Sequence, residues 1–343
     1  MTTLSKSRER ILVTGGAGYI GAHACKALDM AGYEPVTVDN FATGWRDAVK
    51  FGPLAEVDLL DRDSLVKVFA EYRPRAVMHF AAFSQVGESV KDPAKYWRNN
   101  VIGSLNLVEA ACAAECKNFI FSSTCATFGD QDGVTLDEDT PQYPINAYGA
   151  SKRAIEDILK NFEVSHGLKY VAFRYFNVAG ADPDAEVGER HDPETHLIPL
   201  LLQAIKGHRP ALEIYGTDYD TPDGTCIRDY IHVQDLVDAH VLGLKWLEDK
   251  GTSQVFNLGT GSGFSVREVV HQAALVTNQK VPIVEGPRRA GDCRQLVSGS
   301  TKALRELGWN PQKSTMPEMI GDAWRWLKRD METYPNILRG PFK

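Results

Sequence analysis

Tyr148 and Lys152 stand four residues apart in NAYGASK (146–152). That spacing is about one helical turn, so on a helix the phenol and the ammonium share a face. A tyrosine's ordinary pKa of about 10 is too high for a good base at neutral pH, and a neighbouring ammonium lowers it by stabilising the phenolate. A bound oxidised nicotinamide, itself cationic, pushes the same way. The pair therefore suits proton removal beside a hydride acceptor. A lone Y-x-x-x-K arises by chance on many helices, but FSSTCATFG (121–129) supplies Ser122, Ser123 and Thr124 at the end of an apolar run. A hydroxyl there can bond a substrate alcohol and help pass its proton to Tyr148.

TGGAGYIG (14–21) carries Gly15, Gly18 and Gly21, and a G-x-G-x-x-G beginning at Gly16, between an apolar run and a helical pattern. Glycines are needed where the chain turns tightly and its backbone approaches a pyrophosphate at a helix N-terminus. VTVDN then puts Asp39 at the end of the second strand. A carboxylate there bonds a ribose 2′-hydroxyl and repels a 2′-phosphate, which favours NAD over NADP; the plain alternative is a helix-capping Asp. Asp58-Leu59 and Phe80-Ala81-Ala82 fall at two further strand ends, on the edge where ligands of doubly wound sheets gather. Asp58 either accepts from an adenine amino group or simply starts a helix.

The elements that must position these groups follow from the rhythm of apolar residues. Strands are expected at 11–15, 34–39, near 55–58, at 76–82, 119–123 and 169–177. Helices are expected at 20–32, 93–115 and 147–165. Strand and helix in alternation imply an α/β fold, a doubly wound parallel sheet of the Rossmann type. After about Asn177 the rhythm breaks into loops rich in Gly, Pro and Asp, ADPDAEVGERHDPE and YGTDYDTPDGTCIRD; a helix pattern returns at 231–247. The expected division is an NAD-binding domain over 1–177, with 229–257 returning to it. A smaller, interleaved substrate domain takes most of 178–343.

Bulk composition narrows the function classes. The 343 residues are 43% hydrophobic and 24% charged, enough for two domains. A net charge of −7 argues against a nucleic-acid surface. No apolar run approaches the roughly 20 residues of a membrane span, and MTTLSKSRER lacks the apolar core of a signal peptide, so a cytoplasmic protein is expected. The six cysteines are scattered. Cys112 and Cys116 have helical spacing without a second matching pair, and His191 and His196 pose the same question more weakly. Reduced, buried thiols explain the former, and no metal site is assigned.

Taken together, the glycine turn, Asp39, Thr124, Tyr148 and Lys152 have the order and spacing of the extended short-chain dehydrogenase/reductases. TGGAGYIG, VDN, HFAA with VGESV, NNV, SSTCATFG, NAYGASK, RYFNVAGA, YGTDYDTPDGTCIRDYIHV, FNLGTG and RRAGD, spread over residues 11–292, resemble the UDP-glucose 4-epimerase family. The resemblance implies tightly held NAD and a UDP-sugar substrate. Tyr148 would be the base that takes the 4-hydroxyl proton, Thr124 a hydrogen-bonding hydroxyl, and Lys152 the group that tunes Tyr148 and holds the nicotinamide ribose. Tyr19, Ile20, Asn40, Asn99 (in preference to Asn100), Ser122 and Phe176 would complete the cofactor site with the residues above. The substrate side would draw on Asn177, His196-Leu197 beside the uridine, Arg228 and Arg289 on the diphosphate, and Asp292 on a ribose hydroxyl. Members of this family usually pair as homodimers through the helices near 93–115 and 147–165, and core packing explains the apolar residues of those helices just as well.

Two positions depart from the best-known pattern. Ser84 replaces a lysine, and Leu296 replaces a bulky tyrosine that limits the sugar pocket in some members. A 4,6-dehydratase would need acids after Thr124, where Cys125 and Ala126 stand. An epimerase of UDP-xylose/UDP-arabinose or of UDP-uronic acids shares the same C4 chemistry, and a non-catalytic NAD-sensing regulator is the remote alternative.

Overall fold

The computed structural model describes residues 8–131, 135–289 and 292–333. The first strands lie at the expected places, β4 and β6 ending short of them: β1 (Arg10–Thr14), β2 (Glu34–Asp39), β3 (Leu54–Glu56), β4 (Ala76–His79), β5 (Asn118–Ser122) and β6 (Lys169–Tyr175). Between them run helices α1 (Tyr19–Met30), α2 (Arg62–Tyr72), α3 (Val86–Lys91), α4 (Pro93–Tyr96), α5 (Gly103–Ala113) and α6 (Ala147–His166). The later elements are β7 (Asn177–Ala179), α7 (Leu197–Ile205), β8 (Leu212–Tyr215), β9 (Ile227–His232), α8 (Val233–Lys250) and β10 (Gln254–Leu258). β11 (Gly263–Ser265), α9 (Val266–Thr277), β12 (Ile283–Gly286), β13 (Gln295–Leu296) and α10 (Met316–Thr333) close the described chain.

Seven strands form one sheet in the order β10-β6-β5-β4-β1-β2-β3, with flanking helices. This is the Rossmann-like parallel arrangement, and its order reverses between β1 and β4, the place where such sheets take a ligand. The strands are buried apolar runs, as a sheet covered on both faces demands: Ile11, Leu12, Val13, Val77, Met78, Phe119, Ile120 and Phe121 are all fully buried.

The chain divides into two compact units. The first holds the chain up to Ser123, Asn146–Phe173 and Val237–Val255; the second holds Thr124–Ile145, Arg174–Leu236 and the chain from Phe256 onward. Leu12, Val36, Leu65, Phe69, Leu107, Phe119, Phe121, Ile155 and Leu159 centre the first unit's core. Ile198, Leu201, Leu202, Leu212, Tyr230, Val269, Met319 and Ile320 centre the second's.

Two elements differ from expectation. The strand expected over 169–177 stops at Tyr175, and β7 then pairs with β9, not with β5. β9 also carries β11 and β13, so residues 227–236 belong to the second unit and the return to the first begins only at Val237. The helix expected over 93–115 is interrupted by a π-helical turn, Trp97–Ile102. Asn100 explains the widening: its side chain bonds both backbone groups of Phe83, at 2.9 and 3.0 Å, and Ser151 Oγ at 3.1 Å. A buried amide satisfied on both ends offsets the lost α-helical pairing.

Candidate active site

The glycine turn is built for close backbone approach. Gly15 has φ +72°, and a Cβ there would lie 2.7 Å from the Ala81 nitrogen; a Cβ on Gly21 would lie 2.0 Å from the Gly15 carbonyl oxygen. Neither position can carry a side chain. Gly18 caps α1 without any side-chain acceptor, and no acid stands in its first turn, so the helix presents its positive end. Asp39 is buried beside it. One carboxylate oxygen accepts from the Ala17 amide at 3.0 Å and the other from the Phe41 amide at 2.8 Å. Burial pushes this carboxyl up, and those amide bonds oppose the shift. Each oxygen keeps a further lone pair for a ribose hydroxyl. A bare helix end, two glycines that admit no Cβ and an oriented carboxylate fit a dinucleotide.

Asn40 donates to Asp58 at 2.9 Å, and Asp58 also accepts from the Leu60 amide at 2.8 Å. Asp58 therefore fixes a turn while remaining part-exposed. Leu59 packs against the first unit's core, Tyr19 is buried, Ile20 is part-buried, and Phe80, Ala81 and Ala82 are part-exposed after β4. Asn99 is part-exposed and bonds its neighbour Asn100 at 3.0 Å, whereas Asn100 is buried and committed to the Phe83 loop. Of the two, Asn99 is the more accessible.

Tyr148 and Lys152 sit in the first two turns of α6, which Asn146 caps by accepting from the Gly149 amide at 2.8 Å. Tyr148 is part-exposed and meets Tyr96 edge-on at 6.4 Å between ring centres. Lys152 is buried and donates to the Ser122 carbonyl at 2.7 Å, which ties α6 to the end of β5. Its ammonium lies 5.0 Å above the centre of the Phe121 ring. Burial pushes the Lys152 amine down to about 7, with Glu156 opposing the shift. Glu156 lies one turn further along α6, also buried, and accepts from Ser123 Oγ.

In the second unit Thr124 is buried, its hydroxyl accepting from the Ala126 amide at 3.2 Å. Phe176 is also buried, packed with Phe128 and Leu136, with Leu296 against the same cluster. Asn177 is exposed at the start of β7. Arg228 and Arg289 share one carboxylate: Asp292 lies 3.9 Å from Arg228 Nη2 and 2.9 Å from Arg289 Nε. Arg289 also lies over the Tyr215 ring at 5.0 Å. Leu296 is opposite Arg228 in the β13–β9 register. His196 is exposed and held by Glu189, and Leu197 begins α7. Ser84 is exposed.

Two supporting residues, His79 and Asp229, lie outside the groups singled out in the sequence. His79 is buried between Thr14 Oγ1, 2.6 Å away, and Ser104 Oγ, 2.7 Å away. Burial and Lys152 push it down to about 3, so it is neutral. Asp229 accepts from Thr260 N at 2.9 Å, Thr260 Oγ1 at 2.6 Å, Gly261 N at 3.0 Å and Ser298 N at 3.1 Å. It anchors the FNLGTG loop beneath the Arg228 strand. Its signal in the sequence is its place in CIRDY, next to Arg228.

A family model, that of the NAD dependent epimerase/dehydratase family, matches residues 11–259. A UDP-glucose 4-epimerase of Rhizobium meliloti (strain 1021) is 49% identical over 319 residues, 93% of this chain and 97% of that protein. The crystal structure of a Brucella ovis UDP-glucose 4-epimerase in complex with NAD is 48% identical, with a TM-score of 0.90 over 92% of this chain and 98% of that one. A Bifidobacterium longum UDP-glucose 4-epimerase in complex with NAD+ and UDP gives 0.89 at 34% identity, over 95% and 99%. No helix among the described residues is long and apolar enough to cross a membrane.

Proposed function

This chain belongs to the NAD dependent epimerase/dehydratase family, and from that premise we infer that it interconverts UDP-galactose and UDP-glucose by inversion at C4. The observation that carries the reading is Lys152, buried and bonded to the Ser122 carbonyl one turn beyond Tyr148. The reaction is an isomerisation with no net redox change. When bound, NAD supplies the acceptor and the later donor of the C4 hydride.

Gly15, Gly18, Tyr19, Ile20, Gly21, Asp39 and Asn40 hold the cofactor's pyrophosphate and adenosine side. Asp58, Leu59, Phe80, Ala81, Ala82, Asn99, Ser122 and Phe176 border it. Tyr148 takes the 4-hydroxyl proton and later returns it, while the Thr124 hydroxyl holds the sugar oxygen. Lys152 keeps the phenolate stable and would hold the nicotinamide ribose of a bound cofactor. The 4-keto sugar must turn to offer its other face. A fixed diphosphate makes that turn possible, and Arg228 and Arg289 provide two guanidinium forks for it. Asp292 takes a ribose hydroxyl, Asn177 the substrate, and His196-Leu197 the uridine. The scattered free thiols fit a reducing cytoplasm. Trp97 and Ile102, 42% and 48% exposed on the 97–102 turn, fit a homodimer contact through that helix and α6.

The test is incubation of the purified chain with UDP-galactose, UDP-arabinopyranose and UDP-N-acetylgalactosamine without added cofactor, followed by chromatography. UDP-glucose formed from UDP-galactose supports the hexose reading. Conversion of the pentose alone moves the substrate but keeps the mechanism. No conversion even with NAD supplied sinks the proposal.

A further inference from the structure

We propose that Glu189, His191, Glu194 and His196 form a four-ligand site for a divalent transition-metal ion of the zinc class. They lie on the loop that leads into α7 and on its capping residue, all within the second unit. Each offers one donor atom, and these atoms lie within 4.8 Å of one another. His191 Nδ1 is 3.4 Å from a Glu189 oxygen and 3.5 Å from a Glu194 oxygen. His196 Nδ1 is 3.9 Å from Glu194 and also touches Glu189. A tetrahedral ion with ligands at about 2.0–2.1 Å places its donors about 3.3–3.4 Å apart. The cluster is therefore already close to the size that such an ion imposes.

Ligand chemistry narrows the choice. Two imidazole nitrogens with two carboxylates suit zinc, cobalt or nickel, whereas magnesium and calcium prefer oxygen throughout. The two rings stand at 86° to one another, with centres 5.1 Å apart, so they do not stack. Two carboxylates neutralise a dication and outweigh the opposing positive end of α7. Glu194 is oriented in advance, since one of its oxygens accepts from the Thr195 and His196 amides at 2.7 and 2.9 Å. The Glu189 side chain is 5% exposed while that of His196 is 51% exposed, which leaves an entry path from solvent. The ion takes no part in C4 chemistry; bound through His196 Nδ1, it leaves Nε2 for the uridine and clamps the loop to the first residues of α7. The rival is a network of two imidazoliums and two carboxylates that needs no ion.

The experiment uses the full chain, stripped with a chelator and titrated calorimetrically with zinc chloride, with magnesium chloride as control. One zinc per chain is expected, without magnesium binding, and His191→Ala and Glu194→Gln should each weaken zinc affinity at least tenfold. No stoichiometric zinc uptake overturns the proposal, as does uptake unchanged in variants that keep the wild-type circular dichroism and melting profile. If the variants misfold, the cobalt-loaded wild-type protein decides. Visible bands of a tetrahedral nitrogen–oxygen site support the assignment, and an ultraviolet thiolate charge-transfer band places the ion on cysteines and overturns it.

Discussion

Lys152 carries a cost along with its use. Its folded-state pKa of about 7 lies below the ordinary 10.5, so between those values the unfolded chain keeps a proton that the folded chain lacks. Unfolding free energy from this group therefore rises with pH through that window. In cofactor-free protein, the difference in unfolding midpoint between wild type and Lys152→Met should shift towards wild type from about pH 6 to about pH 8.5. A flat difference would show an unperturbed amine. Tyr148→Phe keeps the ring and loses the base. Its kcat should fall by about 10²–10⁴ while the NAD released on denaturation stays at wild-type content; retained turnover would remove Tyr148 from its role. Leu296 is part-exposed opposite Arg228, and it is smaller than a tyrosine. UDP-N-acetylglucosamine should therefore be turned over, and Leu296→Tyr should cut that activity at least tenfold while sparing UDP-glucose. Absence of the N-acetyl activity in wild type refutes the size argument.

Among the elements, the turn between β1 and α1 tolerates least. Gly21→Ala drives a methyl into the Gly15 carbonyl, 2.0 Å from where its Cβ must sit. The variant should purify without NAD and melt at a lower temperature, and cofactor retention at wild-type content would contradict the close-approach argument. β9 is the corresponding element of the second unit. Asp229→Ala leaves the amides of Thr260, Gly261 and Ser298 without their acceptor, a loss of about 3 kcal/mol or more measurable by denaturant unfolding. The turn between β1 and α1 was legible because Gly15 and Gly21 meet each other only a few residues apart in the chain. The π-helical turn was not, because Asn100 is satisfied by Phe83 and Ser151, 17 and 51 residues away.

For the whole molecule, a homodimer through the 97–102 turn and α6 predicts a light-scattering mass twice that of the chain. Ile102→Glu should reduce it to one chain mass, and an unchanged dimer would put the interface elsewhere. The sequence by itself determined the parallel sheet, the glycine turn with Asp39, and the Tyr148–Lys152 pair. Each is written in local spacing, either a period of apolar residues or groups one helical turn apart. Tertiary structure alone decided that Lys152 is buried on the Ser122 carbonyl, and that Arg228 and Arg289 converge on Asp292 from segments about 60 residues apart. It also decided that β7 leaves the main sheet for β9, and that Glu189 and Glu194 close around His191 and His196, whose spacing alone assigned no metal site. These depend on burial and on contacts between distant segments. A charge's solvation, and the partner that makes up for its loss, are set by whatever packs against it in three dimensions.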